Sequence, residues 1–227
     1  MRSSNPVYNI TPVSMLDYPG YLACIIWFSG CNLRCGYCYN PDIVLAENGQ
    51  FTEEDTIFFL NKRKKVIEGV VLSGGECTDY ENITSFCREI KDLGFKIKID
   101  TNGTNPEVLE ILTINRIVDF VALDYKAPDY KYSKICGHDL FNKFSRSLSL
   151  LIESDISFEV RTTVGYDKLN MEDIKYIAED LENRGYQNIY FIQNFRNTGK
   201  LLGEAGFSEK ISKTDLKGLP LEVQIRD

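Results

Sequence analysis

Short runs of branched and aromatic residues recur along the chain at fairly even spacing, and helix-period patterns lie between them. The runs predict strands at Leu22 to Phe28, Val70 to Leu72, Lys96 to Ile99, Phe120 to Leu123, Phe158 to Arg161 and Ile189 to Ile192. Helices are expected over Thr52 to Lys65, Asn82 to Leu93, Pro106 to Leu112, Phe141 to Ile152 and Met171 to Arg184. Asn82 and Asn170 suit helix N-caps, Pro106 suits a first helical position, and Gly94 and Gly185 fall where C-terminal caps belong. The turn signal Asp17-Tyr18-Pro19-Gly20 predicts a β-hairpin leading into the first strand. After Asn194 the pattern weakens, and a late strand is expected over Leu221 to Ile225.

Alternating strands and helices imply βα units and a parallel sheet, built either as an open doubly wound sheet or as an incomplete barrel. The polar clusters decide between the two. The cysteines follow Phe28, Ser73-Gly74-Gly75-Glu76 follows Leu72, Asp100-Thr101-Asn102-Gly103 follows Ile99, and Asp124-Tyr125-Lys126 follows Leu123. Arg161-Thr162-Thr163 ends the next strand, and Gln193-Asn194-Phe195-Arg196 follows Ile192. In a barrel these ends converge on one face around one cavity, whereas in an open sheet the outer ones could not cooperate. The expectation is an α/β fold, a partial (β/α)6 TIM-like barrel of parallel strands with an N-terminal β-hairpin. Residues 1–227 should form one domain, with a core of about 20–199, a hairpin at 1–19 and a C-terminal extension at 200–227.

Composition narrows the function. With 43% hydrophobic and 26% charged residues, the chain can bury a large core and is not a disordered polymer. A net charge of -7 repels a phosphate backbone, so no nucleic-acid partner is expected. The most apolar stretch, Tyr21 to Phe28, is far shorter than a bilayer span, and the first residues lack a signal-peptide run, so a cytoplasmic protein without membrane contact is expected. Seven cysteines in such a chain should be reduced, metal-bound or buried. The single histidine, His138, sits in a loop pattern before a helix and reads as a partly exposed structural residue.

Three cysteines crowd into Cys31-Asn32-Leu33-Arg34-Cys35-Gly36-Tyr37-Cys38, close enough for all three sulfurs to bind one inorganic centre. A structural zinc site wants four ligands, usually as two short pairs, and no second pair exists. A four-iron cluster with three cysteines leaves one iron open for another ligand. The alternatives are a zinc site completed by a distant residue such as Cys77, or a redox pair at Cys35 and Cys38.

This CxxxCxΦC spacing, with Tyr37 as its aromatic residue, and Ser73-Gly74-Gly75-Glu76 resemble the two signature motifs of the radical S-adenosylmethionine (SAM) superfamily. The stretches Ile10 to Gly20 and Trp27 to Cys35 resemble activating proteins of anaerobic ribonucleoside-triphosphate reductase. Asp100 to Gly103 and Leu123 to Lys126 are similar to pyruvate formate-lyase activating enzyme. The resemblance runs to about Gly199. It implies a [4Fe-4S] cluster on Cys31, Cys35 and Cys38, with SAM on the open iron. It further implies a cofactor site of Tyr37, Tyr39, Ser73, Gly74, Gly75, Glu76, Asp100, Asn102, Lys126, Arg161 and Arg196. Gly74 and Gly75 would let backbone approach the methionine moiety, Glu76 belongs to the region binding its amino group, and Tyr37 would pack on adenine. Arg161 and Arg196 would hold the cofactor carboxylate or ribose, or the partner's backbone.

Two carboxylates at adjacent strand ends repel unless something positive lies between them. By resemblance, Asp100, Thr101 and Asp124 are a monovalent-cation site; the alternative is ion pairing with Lys126 or Arg161. Two positions depart from the family pattern: Cys77 stands where proline is common, and Tyr39 where histidine is. Cys77 reads most simply as a small buried residue, with a fourth cluster ligand as the other reading.

The implied activity is reductive cleavage of SAM and abstraction of hydrogen from a glycine of a partner glycyl-radical enzyme. Anaerobic ribonucleoside-triphosphate reductase is the expected client, with pyruvate formate-lyase or a relative as the other, and flavodoxin or ferredoxin would supply the electron. Competing readings are a radical SAM enzyme acting on a small molecule or peptide, and a non-catalytic iron-sulfur or zinc protein. The run Lys62-Arg63-Lys64-Lys65 reads as a solvated helix end, or else as a dock for an acidic electron donor.

Overall fold

A computed structural model describes residues 5–165, 167–195, 199–204, 206 and 210–226. Its centre is one eight-stranded sheet in chain order: β1 (Val7–Ser14), β2 (Ala23–Phe28), β3 (Gly69–Gly74), β4 (Lys96–Thr101), β5 (Phe120–Asp124), β6 (Ser157–Val164), β7 (Tyr190–Asn194) and β8 (Val223–Arg226). β1 pairs antiparallel with β2, giving the expected hairpin, and every later pair is parallel. β1 and β8 are the two edges, so the barrel is partial. The late strand expected near Leu221 to Ile225 is β8, and it extends the parallel set beyond the six expected strands.

The helices are α1 (Pro41–Leu45), α2 (Glu53–Arg63), α3 (Ile83–Asp92), α4 (Pro106–Ile114), α5 (Asp129–Cys136), α6 (Phe141–Glu153) and α7 (Met171–Asn183). Asn170 caps α7 in a reciprocal box with Asp173, and Thr52 does the same for α2 with Asp55. Asn82 precedes α3 but makes no side-chain cap; its amide reaches the Tyr80 hydroxyl instead. Pro106 opens α4 as expected, and Gly94 and Gly185 take the left-handed conformation after α3 and α7. Sequence reading missed α1 and α5. α5 buries Tyr132, Ile135 and Cys136, a helical one-face spacing, but it is short, lacks a side-chain cap and begins after proline. His138 lies exposed between α5 and α6, as expected.

Period-two alternation gives each strand two different faces. Cys24, Ile26 and Phe28 of β2, with Val70, Leu72, Ile97 and Ile99, join the large core under the helices. The other face lines the barrel. There Ala23, Ile25 and Val71 form a small apolar floor with Tyr18. Tyr18 enters from the β1–β2 turn and bonds the Ile97 carbonyl at 3.4 Å. Gly69 makes room for it, since a Cβ there would lie 2.8 Å from the ring.

Candidate active site

Above that floor the barrel lining becomes charged and opens into a cavity of about 240 Å³ at the C-terminal ends of the strands. Cys31, Cys35 and Cys38 line it, together with Tyr37, Tyr39, the whole Ser73-Gly74-Gly75-Glu76 segment, Asp100, Thr101, Asn102, Asp124, Lys126 and Arg161. With Gln193 of β7 also on the wall, six separate strand ends meet at one place. Arg196, also expected here, lies outside the described residues.

The cysteine loop leaves β2 and is held by backbone bonds from several elements. The Gly30 N–H donates to Ile43 O at 2.8 Å, and the Glu76 N–H donates to Gly30 O at 2.9 Å. The Arg34 N–H donates to the Cys136 carbonyl at 2.7 Å, while Leu202 and Gly203 N–H groups donate to Cys38 O and Gly36 O at 2.9 and 3.0 Å. The extension beyond Gly199 therefore braces the cysteine loop, a role no motif announced. Among the described residues, no three His, Cys, Asp or Glu side chains come close enough to hold a single metal ion. Cys77 is not a fourth ligand: it is fully buried, and its thiol faces Leu72 O and Asp100 O at 3.5 Å each.

Gly74 and Gly75 also serve the packing of the protein itself. A Cβ on Gly74 would overlap the Phe28 backbone, and one on Gly75 would overlap the Gly30 carbonyl. The absent side chains admit the start of the cysteine loop, so the close approach is protein on protein. Glu76 is likewise internal, only 2% exposed. Its carboxylate accepts from Thr78 N–H (3.0 Å), Thr78 Oγ1 (2.6 Å), Thr101 Oγ1 (2.8 Å) and Asn102 N–H (2.7 Å). Burial pushes its pKa up to about 7, against the pull of these donors. Tyr37 is 6% exposed, and its hydroxyl contacts the Cys35 thiol, so much of the ring belongs to the loop's own packing. Tyr39 is 51% exposed at the cavity mouth.

In the charged layer the chain's own cations pair with the two carboxylates, the alternative arrangement given with the expected cation site. Asp100 is paired with Lys98 at 2.6 Å and with Arg161 at 3.5 Å. Asp124 is paired with Lys126 at 2.8 Å and bonds the Arg161 Nε. The Thr101 hydroxyl turns to Glu76. The guanidinium of Arg161 thus stands between the two carboxylates, where a free cation was expected, because a buried like-charge pair needs a counter-charge and the chain supplies its own. Burial alone would raise Asp124, but Arg161 and Lys126 hold it down to about 2. Lys126 and Arg161 are the cations that line the cavity, beside Asp100 and Asp124, with Glu76 and Asp17 also on its wall.

The thiols differ. Burial pushes Cys31 up to about 12, with Glu76 adding to it, and raises Cys38, where the Asn40 N–H and Lys126 oppose it. Cys35 is lowered to about 7, first by a hydrogen bond from Cys136 and then, against burial, by Lys126. Asn102, whose Nδ2 donates to Asn32 Oδ1 at 2.9 Å and lies 3.9 Å from Cys31 Sγ, ties the β4 end to the loop. Asn32 in turn donates to Thr104 Oγ1 at 2.7 Å. Sequence reading found Asn102 but missed Asn32, Thr104, Cys136 and Lys98, which carry no motif spacing.

The family model of the Radical SAM superfamily matches residues 25–214. The chain belongs to the Radical SAM superfamily. Its cofactors are therefore a [4Fe-4S] cluster and SAM. A Methanocaldococcus jannaschii protein assigned by name to the glycyl-radical enzyme activating enzymes is 33% identical over 195 residues, covering 83% of this chain and 79% of that one. The pyruvate formate-lyase-activating enzyme of Clostridium pasteurianum is 28% identical over 187 residues, covering 78% and 77%. Among solved radical SAM structures, Streptococcus suis SuiB bound to SAM superposes with a TM-score of 0.66 at 17% identity, covering 89% of this chain and 52% of that one. QueE from Escherichia coli gives 0.53 at 17% identity, covering 84% of each. The chain spans about half the length of the SuiB structures it matches. Among the described residues no helix is long and apolar enough to cross a membrane.

Proposed function

We propose that this radical SAM enzyme activates a partner glycyl-radical enzyme, and that its client is an anaerobic ribonucleoside-triphosphate reductase. The observation that carries the reading is the cavity. Its walls are the residues assigned to the cofactors, and it opens at the C-terminal ends of the strands, where a backbone segment delivered from outside can reach it. Kinship with two activating proteins over more than three-quarters of each chain supports the same class. The resemblance of Ile10 to Gly20 and Trp27 to Cys35 supports the reductase as client.

In this reading Cys31, Cys35 and Cys38 ligate the cluster as thiolates, and Lys126 offsets their charge, being held protonated by Asp124 and Cys35 against the effect of burial. Tyr37, Tyr39, Ser73, Gly74, Gly75 and Asn102 frame the SAM site, and the Arg161 guanidinium receives the cofactor carboxylate. When bound, cluster and SAM together supply reductive carbon–sulfur cleavage and a carbon radical able to take a hydrogen atom. Glu76 holds Asn102, and the floor of Tyr18, Ile25 and Val71 closes the far end of the barrel to water. A flavodoxin or ferredoxin delivers the electron.

The test is anaerobic: the reconstituted protein, SAM, a reductant and the cognate reductase are combined and examined by electron paramagnetic resonance. A stable glycyl radical on the reductase is expected, lost with Cys31→Ala, Cys35→Ala or Cys38→Ala together with the bound iron. Deuterium transfer to a small molecule with no glycyl radical would replace this reading with a small-molecule enzyme. Stoichiometric zinc without iron would remove the cluster assignment.

A further inference from the structure

β4 carries a lysine that no motif explains. Alternation along Lys96–Thr101 sends Ile97 and Ile99 into the core under the helices and turns Lys98 and Asp100 to the barrel interior. Lys98 lies below the cavity: it is 3% exposed and is not on the cavity wall, whereas Asp100 is. Burying an ammonium is costly unless a partner meets it, and its neighbour in register on β3, Val71, is apolar. One group meets the charge. Among the described residues Lys98 Nζ bonds only the Asp100 carboxylate, at 2.6 Å. Glu159, the buried acid on β6, is already held by two Arg226 bonds of 2.8 Å each.

This pairing leaves Arg161 loosely held on one side. Asp100 Oδ1 is taken by Lys98, and Asp100 Oδ2 stands 3.5 Å from Arg161 Nη2, outside the roughly 2.7–2.9 Å of a charge-assisted hydrogen bond. Arg161 instead bonds Asp124 through Nε, and Asp124 turns its other oxygen to Lys126 at 2.8 Å. Charges therefore alternate along Lys98, Asp100, Arg161, Asp124 and Lys126. We propose that Lys98 is a positioning residue for the cofactor carboxylate: by neutralising Asp100 from below, it keeps that aspartate from clamping Arg161 and leaves the Nη groups available to SAM. This rests on the reading that Arg161 receives the SAM carboxylate. Without the ammonium, Asp100 would be a buried carboxylate with one loose cation, and drawing the Arg161 fork into a two-bond pair would satisfy it. A protein carboxylate held that way competes directly with the cofactor's.

The experiment measures SAM binding and not turnover. Labelled SAM is dialysed to equilibrium against the oxidised reconstituted holoenzyme, with iron content assayed, for wild type, Lys98→Met, Lys98→Met/Asp100→Asn and Arg161→Met. Lys98→Met should weaken SAM binding about tenfold at unchanged iron content, the scale of one charge-assisted hydrogen bond. The double variant keeps the same substitution at 98 but removes the unpaired carboxylate, and it should bind SAM like wild type. Wild-type affinity in Lys98→Met overturns the proposal. Equal weakening in the single and double variants also overturns it, since that would report packing. If Lys98→Met does not fold or load iron, weakened binding in the double variant overturns it. A wild type that binds SAM in potassium chloride and not in tetramethylammonium chloride overturns it too, because an added cation would then neutralise the aspartates. Wild-type affinity in Arg161→Met would remove the carboxylate reading itself, whereas weak binding by Arg161→Met beside unchanged binding by Lys98→Met would sink this inference alone.

Discussion

The Glu76 carboxylate accepts the Asn102 backbone N–H at 2.7 Å, which binds the end of β3 to the end of β4 under the cavity. Three more donors, from Thr78 and Thr101, converge on the same carboxylate. Asn102 then reaches Asn32 and the edge of Cys31, so the acidic residue acts on the cysteine loop through a neighbour. It is a brace between these elements.

Replacing Glu76 with Gln tests the brace. A carboxamide has one acceptor oxygen, and its NH2 would face a donor, leaving buried groups unpaired at a cost of about 1–3 kcal/mol. We expect the apoprotein's urea midpoint to fall accordingly, with slower cluster loading. A midpoint equal to wild type would refute the brace.

The glycine pair predicts a sharper contrast. Gly75→Ala forces a methyl onto the Gly30 carbonyl, and neither backbone can yield without losing the Glu76 N–H to Gly30 O bond. The expected loss is upward of ~3 kcal/mol, with failure to retain iron. Gly94→Ala meets nothing within 4 Å and carries only the strain of its positive φ, a cost of about 1–2 kcal/mol with iron content unchanged. Thermal unfolding and iron assay of the two variants check this.

The strand ends and both motifs were legible because spacing and strand position are local properties of a sequence. The glycines' purpose was not, since Gly30 lies far along the chain from Gly75 and only the β2–β3 register brings them together. Arg161 was placed at the site, but its role as counter-charge depended on β6 lying beside β5, so that one guanidinium reaches Asp124 on the adjoining strand and Asp100 one strand further on. Cys136 looked unremarkable because α5 was read as loop. The brace from Leu202 and Gly203 is made by backbone alone, which leaves no trace in residue type.

The ion layer predicts acid sensitivity of the apoprotein. Asp124 has a folded pKa of about 2, below the ordinary carboxylate value of 3.8, held there by Arg161 and Lys126 against burial. A depressed carboxylate stabilises above its unfolded pKa, so that stability is full above about pH 5 and is lost as pH falls through 4 toward 2. The contribution is about 2 kcal/mol. Asp124→Asn should flatten the stability curve over that interval, while wild type steepens. Parallel curves for the two proteins would show that Asp124 does not carry the effect.

The basic end of α2 gives the last prediction. Its four cations sit just before β3, at the face where the strands begin, whereas the cysteine loop sits where they end. Six strand residues at about 3.3 Å each put about 20 Å of barrel between the two. Lys62 rests 4.0 Å over the Phe58 ring and Arg63 lies 5.3 Å over Phe59, so this end is already engaged with its own helix. A donor docked there would be remote from the cluster. Cations in the last turn do stabilise the helix, by about 0.3–1 kcal/mol each. Reversing Lys64 and Lys65 to Glu should therefore lower the unfolding midpoint slightly and leave the rate of flavodoxin-dependent cluster reduction unchanged. A large loss of that rate, restored by a chemical reductant, would place the donor at this helix end after all.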